Sequence, residues 1–167
     1  MEVDSDRRRL LRAGGLGLAA LAGCSGLSGG GGDAGLTLDT LDVAGSPGGP
    51  VPVQPSGSVV LLDFWATWCA PCKPQMAELR AVRESFPGVH MLSITNEDDA
   101  SAVKSFWREY DGTWPVAMDP QLRTNERFGV NRIPTLLVFD PAGERVWSHS
   151  GLAAAASIAE QIRAAKP

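Results

Sequence analysis

Hydrophobic and polar positions alternate in two rhythms along this chain. Residues 59–65 (Val-Val-Leu-Leu-Asp-Phe-Trp) are β-branched or large and nearly all apolar, which suits a central strand covered on both faces. Residues 89–95 and 133–139 are similar runs and predict two more strands. Between the first two, the spacing changes to three and four. Met76, Leu79, Val82 and Phe86 make one apolar stripe over 70–86, while Glu78, Arg80, Arg83 and Glu84 lie mainly off it, so a helix is predicted there. Pro87-Gly88 stops it; Pro71 is tolerated in a first turn, whereas Pro74 sits less comfortably.

The same reading predicts a helix over 98–110, a short strand over 114–118 and a short helix over 120–128 closed by Gly129. A turn at 140–143 returns the chain as a strand over 144–150. An Ala-rich helix over 152–165 follows, with Ile158 and Ile162 facing inward. Upstream, Leu36, Leu38, Leu41 and Val43 alternate as in an edge strand. Residues 45–50 read as a turn or loop, and 51–53 as at most a short strand kept at an edge by its prolines. The order β–α–β–α–β–α–β–β–α predicts an α/β domain over 36–167.

The first 35 residues belong to a different class. Arg7, Arg8, Arg9 and Arg12 form a basic region followed by a mildly apolar run at 13–22. That run is about ten residues, where a spanning helix needs about twenty. It reads as an export signal over 1–23, and Arg7-Arg8-Arg9-Leu10-Leu11-Arg12 resembles the twin-arginine pattern. Leu21-Ala22-Gly23-Cys24 resembles a lipobox, whose cysteine takes a lipid and becomes the mature N-terminus. One lipidated end anchors a protein without spanning the bilayer. Residues 24–35 then form a Gly/Ser tether, and a coil of that length reaches roughly 18 Å.

Charge and cysteine count narrow the function. Residues 1–23 hold four bases and three acids; the remainder has 11 Lys/Arg against 16 Asp/Glu, a net charge of −5. A nucleic-acid partner would want a basic face. The cysteines are Cys24, Cys69 and Cys72. If Cys24 is lipidated, no partner remains for a long-range structural disulfide. A bridge across a two-residue spacer constrains the unfolded chain very little, so Cys69 and Cys72 make a poor staple and a good redox pair. Export places them where disulfides persist.

The pair is expected at the start of the 70–86 helix, just after the strand. The helix N-terminus would favour a thiolate on Cys69, the attacking species. A more exposed Cys69 attacks and a more buried Cys72 resolves the mixed disulfide. Trp68 would shield the opening. Asp63 lies among Leu61, Leu62, Phe64 and Trp65, so burial is expected. A buried carboxyl has a raised pKa and can take the proton that Cys72 loses. His90 and His149 are expected at the surface, and Glu97, Asp98 and Asp99 as a helix cap and its solvated start. No metal or cofactor is expected: a zinc site needs four ligands, and there is one CxxC.

Asp63 to Lys73 (Asp-Phe-Trp-Ala-Thr-Trp-Cys-Ala-Pro-Cys-Lys), with Gly129 to Thr135 (Gly-Val-Asn-Arg-Ile-Pro-Thr), resembles the thioredoxin superfamily. Residues 98–118 look like the helix–strand insertion of its TlpA/ResA-like branch. The resemblance implies a central mixed sheet flanked by helices, with an N-terminal strand extension and this central insertion. It implies that Cys69 is the nucleophile, Cys72 the resolving cysteine, Asp63 the buried acid and Pro134 a cis-proline opposite the pair. Trp68, Ala70, Pro71, Ile133 and Pro134 would meet the substrate, with Ile133 offering backbone hydrogen bonds. It further implies a monomer at the outer face of the membrane. Such a protein takes electrons from a membrane thiol relay and reduces exported disulfides, apocytochrome c among them. Asp63 is a departure, since many of that branch carry Asn there; it favours general disulfide reduction. The Ala70-Pro71 spacer lacks the His of strongly oxidising members, so a potential nearer about −270 mV than about −120 mV is expected. An oxidase or isomerase of the same fold is the main alternative. A copper chaperone of the SCO type would space its cysteines by three residues and need a distant His, for which only His149 offers itself.

Overall fold

The computed structural model describes residues 35–166. The readings of 1–23, of most of the 24–35 tether and of Cys24 lie outside these residues. Seven strands form one sheet: β1 (Thr37–Val43), β2 (Ser46–Pro52), β3 (Val60–Trp65), β4 (His90–Thr95), β5 (Val116–Met118), β6 (Thr135–Phe139) and β7 (Arg145–Ser150). Four helices accompany them: α1 (Cys72–Ser85), α2 (Ala100–Glu109), α3 (Arg123–Phe128) and α4 (Ala155–Ala164). The strand order is β2-β1-β5-β4-β3-β6-β7. β3 runs parallel to β4 and antiparallel to β6, so the sheet is mixed, as expected.

All six positions of β3 are buried, because both sheet faces are covered. Leu61, Trp65, Met91, Leu136 and Val138 form one face. They pack with Met76, Leu79 and Val82 of α1, Val103, Phe106 and Trp107 of α2, and Ile158 and Ile162 of α4. Val60, Leu62, Phe64, Leu92, Ile94, Leu137 and Phe139 form the other, under Leu38, Val53, Val130 and Phe128. Fully burying each such side chain is worth about 1.5–3 kcal/mol, so this double layer holds the end of β3 in place.

The insertion supplies α2 and β5. Asp99 caps α2, accepting from the N–H groups of Ser101 (2.9 Å) and Ala102 (3.1 Å). β5 pairs parallel with β4 and meets β1 at Thr40↔Ala117. The extension locks onto the insertion here. The Val116 N–H donates to Ser46 Oγ at 3.1 Å, and a Cβ at Gly45 (φ +73) would collide with the Thr113 backbone.

The structure corrects several boundaries. Residues 46–52 are a full strand rather than a loop. β2 is the outermost strand, with β1 on one side only, so its prolines cost no second ladder. The 120–128 helix begins at Arg123, after Leu122 adopts a left-handed φ of 60; Gly129 (φ 69) closes it as predicted. Pro134 precedes β6 rather than lying inside it. His90 is half-buried, its Nε2 has no hydrogen-bond partner, and burial holds its pKa below the ordinary value. His149 is half-buried too, its ring stacked on Trp147 at 5.5 Å and its Nε2 3.2 Å from the Leu152 carbonyl.

Candidate active site

β3 delivers the chain to a tight turn before α1. The Cys69 N–H donates to the Ala66 carbonyl (3.1 Å) and the Cys72 N–H to the Cys69 carbonyl (3.1 Å). The helix therefore begins at Cys72, with Pro71 as its N-cap residue, and not at residue 70. Cys69 and Cys72 are joined as a disulfide, with Cα atoms 5.3 Å apart. The turn changes the expected electrostatics. Pro71 and Pro74 have no N–H, and the N–H groups of Cys72 and Lys73 already donate to carbonyls. Support for a Cys69 thiolate thus comes from the dipole of α1 rather than from hydrogen bonds of residues 71–74.

Both cysteines are buried, Cys69 at 3% and Cys72 at 2% exposure, so in the disulfide form the expected contrast between them is absent. The spacer residues Ala70 and Pro71 are exposed. Trp68 is 73% exposed. It forms one wall of a cavity of about 710 Å³ that Leu122, Glu126, Val130, Arg132 and Ile133 also line. Ile133 packs against the buried cluster that holds both cysteines. The Ile133–Pro134 peptide bond is cis, as the resemblance implies. Pro134 is buried, and its carbonyl accepts from the Gly151 N–H at 2.8 Å.

Asp63 is 3% exposed. Its Oδ2 accepts from Ser93 Oγ at 2.7 Å, while Oδ1 is buried without a partner. Burial pushes its pKa up to about 7, with the Ser93 hydrogen bond pulling the other way. At neutral pH this carboxyl can therefore both take up and release a proton.

Sequence reasoning misses three residues here. Glu97 is not part of the α2 cap. Its carboxylate accepts from the Thr67 N–H (2.7 Å), Thr67 Oγ1 (2.6 Å) and Thr95 Oγ1 (3.1 Å), holding the loop that carries Trp68 and Cys69. Two of these bonds come from Thr67, 30 residues away, so the role is not legible locally. Ser93 and Trp114 escape as well, although a polar Ser93 inside the apolar run 89–95 is the same signal that singles out Asp63. Among the described residues, no helix is long and apolar enough to cross a membrane. No group of three or more His, Cys, Asp or Glu among them could hold a metal ion.

The Redoxin family profile matches residues 39–160. Thiol-disulfide oxidoreductase ResA of Bacillus thuringiensis subsp. konkukian is 28% identical over 113 residues, which are 66% of this chain and 65% of that protein. The chain thus spans slightly less than two thirds of the length of this curated relative. StoA from Bacillus subtilis superposes with a TM-score of 0.66 at 21% identity, over 77% of this chain and 96% of that one. The exposed lipoprotein thioredoxin Etrx1 from Streptococcus pneumoniae gives 0.65 at 22% identity, over 78% and 99%. These likenesses show a thioredoxin-like fold.

Proposed function

The chain belongs to the Redoxin family, in the TlpA/ResA-like branch of the thioredoxin superfamily, and on that premise we propose that it is a thiol–disulfide oxidoreductase that reduces protein disulfides outside the cytoplasm. The observation that carries this reading is the closed Cys69–Cys72 pair, set between the end of β3 and the start of α1, with a buried carboxyl on the same strand.

In the reduced protein, the Cys69 thiolate attacks one sulfur of a substrate disulfide. The substrate S–S bond breaks, a mixed disulfide forms, and the other substrate sulfur leaves as a thiolate. Cys72 then gives its proton to the Asp63 carboxylate and attacks the Cys69 sulfur. The second substrate sulfur is released, and the Cys69–Cys72 disulfide holds the pair of oxidised sulfurs. Two electrons have passed to the substrate, and a membrane dithiol partner restores them. Substrate lies against Trp68, Ala70, Pro71, Ile133 and Pro134, with its flanking residues in the groove beside Trp68. Exported proteins, apocytochrome c among them, are the proposed substrates. The lipid on Cys24 and the tether that follows would hold a monomeric domain at the outer membrane face; that Etrx1 is an exposed lipoprotein supports this by analogy.

The test is a reduction assay on an insulin-type disulfide together with a potential. Cys69→Ser is expected to abolish turnover and Cys24→Ser to leave the activity intact while releasing the protein from membranes. A potential near about −120 mV would make the protein an oxidant and sink the reductase reading. Membrane retention of Cys24→Ser would sink the anchor.

A further inference from the structure

The hydrogen bond on Asp63 is the end of a chain that begins in the insertion. Ser93 lies directly beside Asp63 in the parallel register of β3 and β4. Its Oγ, 2.7 Å from Asp63 Oδ2, is also 2.8 Å from Trp114 Nε1. An indole N–H can only donate. Trp114 therefore fills one acceptor site on Ser93, and because the ionised carboxylate can only accept, the single Ser93 hydroxyl hydrogen goes to Oδ2. The direction of the whole chain follows: Trp114 to Ser93 to Asp63. With Oδ2 engaged as an acceptor, Oδ1 is the oxygen left to carry a proton, and it has no other partner.

Trp114 is firmly held in this position. It is fully buried, with the ring of Trp107 edge-on at 5.0 Å, and a Cβ at Gly112 would strike that ring. Glu97, half-buried just beyond β4, is bound by Thr67 and Thr95. Among the described residues, the buried ionisable side chains are Asp63 and Asp119, and Asp119 is bound to Arg123 and Thr124. On α1, Glu78, Arg80 and Arg83 are half-buried and bond to Ala155, Tyr110 and Pro87 respectively, while Lys73 and Glu84 are exposed. On α2, Lys104 and the adjoining Tyr110 are half-buried and Arg108 and Glu109 exposed; on α4, Glu160 and Arg163 are exposed. His90 is half-buried at the opposite end of β4 from Thr95.

We propose that Ser93 and Trp114 are positioning residues for the thiol–disulfide reaction, fixing Asp63 so that its proton is taken up and released at Oδ1. This rests on the reading of Asp63 as the proton acceptor of Cys72. It gives the insertion a chemical role, because its tryptophan orients the acid. The chain also acts on proton affinity, because a donor to the carboxylate favours the charged form and linked hydrogen bonds strengthen one another.

The experiment is a carbon-13 carboxyl titration of Asp63 by NMR, beside the pH profile of disulfide reduction. Both are run on the intact domain in wild type, Ser93→Ala, Ser93→Thr, Trp114→Phe and Asp63→Asn. Ser93→Ala is expected to move the Asp63 midpoint upward by roughly one pH unit, and the activity profile with it. Trp114→Phe moves both in the same direction by less. Ser93→Thr, which keeps the hydroxyl, stays near wild type. An Asp63 midpoint unmoved in both Ser93→Ala and Trp114→Phe overturns the proposal. If the carboxyl moves but Asp63→Asn leaves the activity profile unchanged, the reading of Asp63 as proton acceptor fails, and the positioning role with it.

Discussion

Among the described residues two carboxylates are buried, and they behave in opposite ways. Asp63, 3% exposed, has one donor, and burial wins: its pKa is pushed up to about 7. Asp119 has no exposure at all. Burial pushes it upward too, but the Thr124 N–H and hydroxyl, both at 2.7 Å, and Arg123 at 3.2 Å outweigh that and leave its pKa below the ordinary value. What holds Asp119 charged is its set of donors, the Arg123 cation among them, whereas Asp63 has Ser93 alone against its burial. Asp119 fixes the start of α3 and so one wall of the groove. Asp63 is left under-satisfied, which is costly for a structural residue and useful for one that must change its protonation.

The comparison predicts opposite signs for the same substitution. Asp63→Asn is expected to stabilise the protein at pH 8. The folded pKa lies above the ordinary 3.8, so the carboxyl carries no cost below pH 3.8; the cost grows until about pH 7 and is constant beyond. The ceiling of the gain is roughly 4 kcal/mol, and it shrinks toward zero at pH 4. Urea unfolding of the oxidised protein across that range measures it, and a gain independent of pH would sink the account. Reduction activity is expected to fall by about a hundredfold in the same variant.

Asp119→Asn is expected to destabilise by about 2 kcal/mol at pH 7, since a charged acceptor of three hydrogen bonds is lost. Its folded pKa lies below the ordinary value, so its contribution is present above pH 3.8 and is lost as pH falls through the folded pKa. The penalty of the substitution must therefore fade in acid. Stability unchanged at pH 7 would break the contrast with Asp63.

The legibility of these parts follows how local each one is. The Cys69/Cys72 pair is plain because its members are three residues apart beside a strand of apolar residues. The helices α1 and α4 are plain from their stripes. Asp63 is legible because an acid inside an apolar run must be accounted for. What escapes depends on pairing between distant segments. β2 is rich in Pro and Gly and is a strand only because β1 offers it an edge. Ser93 and Glu97 meet Asp63 and Thr67 across 30 residues of sequence, through the β3–β4 register and the loops that leave those strands. The starts of α1 and α3 shift because short turns, at Ala70-Pro71 and Asp119–Leu122, take the first residues that a helical pattern would claim.

Glu97 is a half-buried carboxylate with three donors. It should clamp the Thr67 loop, as Asp119 clamps the start of α3. Glu97→Ala is expected to cost about 1–2 kcal/mol. It should also speed hydrogen exchange of the Thr67 amide about tenfold, since a lost bond of about 1.4 kcal/mol corresponds to that factor. The pH midpoint of activity should stay where it is. A shifted midpoint would place Glu97 among the proton-transfer groups and undo the distinction.

Leu122 gives the smallest effect and the sharpest separation of stability from function. Asp119 reaches past it to Thr124, and the Leu122 N–H donates to the Asp119 carbonyl at 2.9 Å. This anchoring holds Leu122 at φ 60, in the left-handed region, with 43% of its surface exposed on the groove. A leucine there carries about 1–2 kcal/mol of strain, and half-exposed apolar surface returns little of it. Strain of this kind persists where a site needs the side chain. Leu122→Gly relieves the strain but adds unfolded-state entropy worth about 0.5–1 kcal/mol, so stability should stay within about 1 kcal/mol of wild type. The KM for a peptide disulfide with apolar flanks should rise about threefold to tenfold, the equivalent of one partly buried side chain, with kcat unchanged. A stability loss above about 2 kcal/mol would make Leu122 a structural residue, and an unaltered KM would mean that substrates do not use the groove that Asp119 and α3 build.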